Sequence, residues 1–131
     1  MRQIVVFFYF SLVFSTLAYS MSAVGKFSIK GTVSRSFDGQ RAILSKMNSS
    51  HIPIDTDTSI IRQGRFSFEG DEFLDNISTI VVEDKQGTQT CPRLEILLET
   101  GNTSVSFSKN RSSMKGTPLN NLFMEYQDLH S

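Results

Sequence analysis

Five carboxylates stand close together in the middle of the chain, Asp55 and Asp57 in "IDTDTS" and Glu69, Asp71 and Glu72 in "FEGDEF". Clustered oxygens are what a hard cation such as calcium needs, and two opposed carboxyl groups are what glycoside hydrolysis needs. The spacing does not fit an EF-hand, because no glycine occupies the sixth position and no glutamate closes the loop. Acids at strand ends are ordinarily solvated, and that is the expectation here. His51 and His130 are the only histidines, too few for a structural zinc site. Cys91 is the only cysteine. As a nucleophile it would need a base and an orienting group, and as a thiolate a nearby positive charge, for which Arg93 is the one basic neighbour in sequence. With Pro92 after it, Cys91 is expected to be a buried or half-buried small residue at the start of a strand. The glycine-bracketed "GRFSFEG" lacks the Gly-Lys-Ser/Thr of a phosphate loop and the G-x-G-x-x-G of a dinucleotide site, and no G-x-S-x-G elbow occurs among the serines. No catalytic, metal or cofactor residue is expected, and no cofactor.

The elements around these residues explain them better. Residues 1–20, "MRQIVVFFYFSLVFSTLAYS", carry one arginine, an apolar run and then small residues, the pattern of a signal peptide cleaved after Ser20. The apolar run is shorter than the roughly 20 residues that span a bilayer, so no membrane span is expected after cleavage. Residues 21–117 then form one β-rich domain and residues 118–131 a terminal helix. Thirteen basic and thirteen acidic residues balance, which leaves no net field to gather nucleic acid. A single cysteine makes no internal disulfide, so packing alone must hold the exported domain.

Within the domain, "KFSIKGTVS" alternates Phe27, Ile29 and Val33 against polar neighbours, with Gly31 marking a bulge or a close backbone approach. Asp38-Gly39 has the chemistry of a hairpin turn and leads to a strand over 41–47. "NSSHIP" reads as a loop before an extended segment over 54–62. A two-residue loop at Gln63-Gly64 would make a second hairpin, pairing Arg62 with Arg65, Ile61 with Phe66, Ile60 with Ser67 and Ser59 with Phe68. That register puts Ile61, Phe66 and Phe68 on the core face, turns Arg65, Ser67 and Glu69 to solvent, ends the strand at Gly70, and sets two arginines unfavourably opposite one another. "ISTIVVED", "RLEILLE" and "TSVSFSK" supply further strands, with "TGN" turning between the last two. In "TPLNNLFMEYQDL", Thr117 fits an N-cap, Pro118 the first helical position, and Leu119, Leu122, Phe123 and Tyr126 one apolar face. Asn48, Asn76, Asn102 and Asn110 each open an N-x-Ser/Thr triplet, which carries meaning only in a glycosylating pathway. Six to eight short strands at regular spacing define a mainly β, antiparallel sandwich or barrel-like domain with one C-terminal amphipathic helix.

"FSIKGTVS", Asp38-Gly39, "IDTDTSIIRQGRFSFEG", "LEILLETGNTSVSF" and "MKGTPLNNLFMEYQ" together resemble a family: the β-rich domain of unknown function that precedes thioredoxin-like, peroxiredoxin-type domains in exported proteins of Bacteroidetes. The most specific pieces are Asp55-Thr56 followed by Gly64, Phe66, Phe68 and Gly70, and Glu99-x-Gly101-Asn102 followed by Gly116-Thr117 and Asn120. These are turn and core residues rather than catalytic ones. The resemblance implies an accessory, non-catalytic module whose terminal helix leads into a redox domain; for this chain the expectation is an exported module, periplasmic, in the cell envelope or secreted, that binds or scaffolds another protein. It also implies an alternative, an accessory to a thioredoxin-like partner. With no Cys-x-x-Cys in the sequence, that partner is expected to be a separate chain.

Overall fold

Apolar alternation becomes strand wherever it occurs, but the strands pair across long sequence distances. The computed structural model describes residues 25–87, 90–108 and 111–129. Residues 1–20, expected as a signal peptide, and also Asn110 and His130 lie outside the described residues. Eight strands run β1 (Lys26–Thr32), β2 (Arg41–Met47), β3 (Pro53–Ile60), β4 (Arg65–Asp71), β5 (Phe73–Val82), β6 (Arg93–Leu98), β7 (Gly101–Phe107) and β8 (Ser112–Lys115), followed by helix α1 (Pro118–Leu129). They form two four-stranded sheets, ordered β4-β1-β7-β8 and β3-β2-β5-β6. This is the expected mainly β sandwich, with neither sheet closed into a barrel. One pairing departs from the antiparallel expectation, since β1 runs parallel to β7.

The first sheet turns Phe27, Ile29, Phe66, Phe68, Val105, Phe107 and Met114 inward, and the second meets them with Ala42, Leu44, Ile80, Val82, Leu94, Ile96 and Leu98 in a single buried cluster. Phe66 lies between Phe68 and Phe107, with ring centroids 5.9 and 6.0 Å away. Such offset aromatic contacts each add about 0.5–1.5 kcal/mol beyond the area they bury. Gly31 explains how the Phe66 ring fits. A Cβ built there would lie 2.0 Å from Phe66 Cζ, so only glycine leaves room for the ring beneath β1. The register through Gly31 is continuous, which makes it a close approach and not a bulge.

Both expected hairpins are corrected. β1 and β2 lie in different sheets, as do β3 and β4. Of the pairs expected around Gln63-Gly64, Arg62 with Arg65 forms as an isolated bridge, and β4 then leaves to pair with β1, placing Phe68 opposite Ile29 and Ser67 opposite Lys30. The physical reason lies in the core between the sheets. Ile61 is fully buried at the point where the chain crosses, and its peptide is satisfied by the other turn: Ile61 N donates to Gln40 O at 2.9 Å, and Gly39 N donates to Ile61 O at 2.9 Å. Gly64 N donates to the Asp38 carboxylate at 2.8 Å. The two glycine turns therefore clasp each other and carry the chain from sheet to sheet, instead of each closing its own hairpin. Gly64 needs its positive φ of 69° for this, and a Cβ there would sit 2.6 Å from Val33 O.

Candidate functional site

The five mid-chain carboxylates do not converge on a cation. Asp55, Asp57 and Glu69 line an open cleft of about 350 Å³ together with Lys46. Lys46 Nζ is 3.7 Å from Asp55 and 5.5 Å from the centre of the Phe73 ring. Asp57 accepts a hydrogen bond from Thr58 N, and Glu72 accepts one from the Thr100 hydroxyl. Asp71 is paired with Lys26, whose hydrogen bond and charge hold the carboxyl below its ordinary pKa. Among the described residues no three His, Cys, Asp or Glu gather as a metal site. Cys91 is exposed, which corrects the expectation of a buried or half-buried thiol. It lies in the β5–β6 connection, before β6 begins at Arg93, so the two residues do not share a strand face.

Polar side chains do converge at the start of α1. Asn120 is fully buried. Its Oδ1 accepts from Leu97 N at 2.9 Å, and its Nδ2 donates to Leu97 O at 2.8 Å and to Thr117 Oγ1 at 3.0 Å. One side-chain amide thus pairs with the edge strand β6 as a further strand would, satisfying both backbone groups of Leu97. Thr103 and Thr117 are buried beside it with hydroxyls 3.3 Å apart. Glu99 supplies the helix cap: its carboxylate accepts from Leu119 N at 3.0 Å and from Asn120 N at 3.4 Å, placing negative charge at a helix N-terminus. Thr117, the expected N-cap, contributes its backbone carbonyl to Asn121 N while its hydroxyl joins the buried network. At the far end of the helix, Arg111 makes two hydrogen bonds of 2.8 and 2.7 Å to Asp128.

These contacts set the rotation of the helix and correct its expected face. Phe123 and Met124 pack against the core alongside Asn120. Leu119, Leu122 and Tyr126, expected to pack, are 41%, 62% and 58% exposed, and Leu129 is 82% exposed. A polar residue anchors the helix, which hydrophobic periodicity does not reveal.

The residues singled out from the sequence divide into three groups. Gly101, Asn102 and Gly116 lie around the Asn120 network, Gly101 against the Thr117 methyl and Gly116 against the Asn102 carbonyl. Asp38, Gly39 and Gly64 form the clasp between the sheets. Gly31, Phe66, Phe68 and Gly70 belong to the core, with Gly70 under the Phe27 ring. A shallow groove of about 770 Å³ on the outer face of β4-β1-β7-β8, carrying Lys30, Arg62, Arg65 and Lys115, was not visible in the sequence.

The fold and this anchored helix define a small β-sandwich module with a docked terminal helix. The chain belongs to a family of domains of unknown function, DUF4369, whose match covers residues 27–123 and so takes in both sheets and the buried start of the helix. No curated protein and no solved structure matches the chain. Among the described residues no helix is long and apolar enough to cross a membrane.

Proposed function

We propose that this chain is an exported, non-catalytic binding or scaffolding module of the cell envelope. The observation that carries this reading is where its polar chemistry is used. Glu99, Thr103, Thr117 and Asn120 spend their hydrogen-bonding capacity on fixing one helix to the edge of a sandwich. Held in that pose, α1 turns Leu119, Leu122, Tyr126 and Leu129 outward, an apolar stripe suited to a protein partner. A photo-reactive residue placed at position 122 of the full chain, used in living cells, should capture a defined protein. Native chain produced in excess should compete for that capture, whereas the Leu122→Glu chain, folded but with a charge interrupting the stripe, should not. Equal competition by the two chains would sink the reading, as would catalytic turnover by the purified protein.

A second reading, accessory to a separate thioredoxin-like chain, draws support from the family resemblance and from the exposure of Cys91, which an external thiolate can reach. Its mark would be a thioredoxin-like protein as the captured species, with the rate of disulfide reduction by that protein raised when this chain is added.

A further inference from the structure

The two arginines that stand unfavourably opposite one another are kept: Arg62 and Arg65 form a bridge, and both line the groove on the outer face of β4-β1-β7-β8. Like charges directly opposite destabilise a strand pair, so a bound anion that neutralised them would be favoured there. The register adds two more cations to the same surface. Arg65 lies opposite Thr32, Lys30 lies between Ser67 and Ser104, and Ser104 lies opposite Lys115. Lys30 and Lys115 are therefore two strands apart on one row, about 10 Å by ordinary strand spacing. No residue lining the groove is acidic. The ion pairs among described residues use Lys26, Arg41, Lys46 and Arg111, and none uses the four groove cations. The nearest acid on this face of β4 is Glu69, in the next row, opposite Ser28.

We propose that this groove binds an anionic polysaccharide, with Lys30, Arg62, Arg65 and Lys115 neutralising its carboxylate or sulfate groups. The spread of cations along and across the sheet suits a ligand with several charges rather than one small anion. The residues between them are Thr32, Ser67, Ser104 and Ser106, hydroxyls that donate and accept and so match a ligand rich in hydroxyls. An extended acidic peptide would be recognised chiefly through its main chain at a free strand edge, which only β4 and β8 at the sides of the groove offer, whereas its floor, β1 and β7, is paired on both sides. Phe66 is the one aromatic residue lining the groove and it is buried, so there is no platform on which nucleic-acid bases could stack. Because the chain as a whole is neutral, attraction is confined to this face and is screened within about 8 Å at physiological salt.

The proposal rests on the reading of the chain as a binding module but not on capture through α1, so the two fail separately. The test titrates the full chain at low ionic strength with dextran sulfate, polygalacturonate, neutral dextran, poly-glutamate and phosphatidylglycerol vesicles. Either anionic polysaccharide should bind more tightly than the other probes and be released by salt. The Lys30→Gln/Arg65→Gln variant should lose about tenfold or more in affinity. A Lys85→Gln/Arg93→Gln variant, which removes the same charge elsewhere, should bind as the native chain does, and Lys30→Arg should retain binding. Circular dichroism establishes that each variant is folded. No binding of either anionic polysaccharide, equal losses in the two double variants, or tighter binding of poly-glutamate or vesicles would each overturn the proposal.

Discussion

Asn120 and Ser78 are both fully buried polar residues, and they should answer substitution in opposite directions. Asn120→Leu keeps the branched shape of the side chain but leaves Leu97 N and O without the partners they have at 2.9 and 2.8 Å. An orphaned buried group costs roughly 1–3 kcal/mol, so urea unfolding should show a loss of about 2–4 kcal/mol and hydrogen exchange at the Leu97 amide should quicken. Ser78 Oγ has no hydrogen-bond partner among the described residues. Ser78→Ala should therefore be neutral or stabilising by up to about 1 kcal/mol in the same titration. Asp71 provides a third check. Lys26 holds its pKa below the ordinary value of 3.8, so the pair's contribution is present at neutral pH and is lost as pH falls through that lowered value. Following the Asp71 carboxyl by NMR, the midpoint should rise in Lys26→Ala; an unchanged midpoint would mean that the pair does not persist in solution.

At the scale of elements, Gly64 and Gly87 offer a controlled comparison because both have a φ of 69°. Nothing lies within 4 Å of a Cβ built at Gly87, whereas one at Gly64 would meet Val33 O at 2.6 Å. Gly87→Ala should cost about 1–2 kcal/mol, the ordinary penalty of left-handed backbone, and Gly64→Ala clearly more, because the clasp between the sheets must open. Thermal melts of the two variants make the comparison; equal losses would mean that the clasp is not needed. The same clasp shows why strands were legible in the sequence and their partners were not. Alternation identifies a half-buried strand such as "KFSIKGT" or "TSVSF", and positive-φ glycines identify turns, but an Asp-Gly or Gln-Gly step serves a crossing as well as a hairpin. Ile61 decided between them through burial, a tertiary property. The helix was legible in extent, while its rotation followed Asn120 and Glu99, residues that a hydrophobic pattern assigns to the surface.

For the whole molecule, balanced charge excluded a net field and concealed a local one. Lys30, the Arg62–Arg65 pair and Lys115 come from three separate places in the sequence and are brought together by sheet order. Export is expected from residues 1–20, and N-terminal sequencing of the envelope product should begin at Met21 or within a few residues of it; a product that keeps Met1 would refute the signal-peptide reading.

The parallel partnership of β1 and β7 has a kinetic side. Phe27 pairs with Gly101 and Thr32 with Ser106, so the strand made early holds an inner place beside one made late. Closing so long a stretch of chain is entropically slow, and contacts of high sequence separation retard folding. The first sheet cannot close until residues 101–107 are present, and until then β1 has β4 alone as a strand partner. Closure of the first sheet is therefore a late event in folding, one that waits for the strand farthest along the chain of those that touch β1.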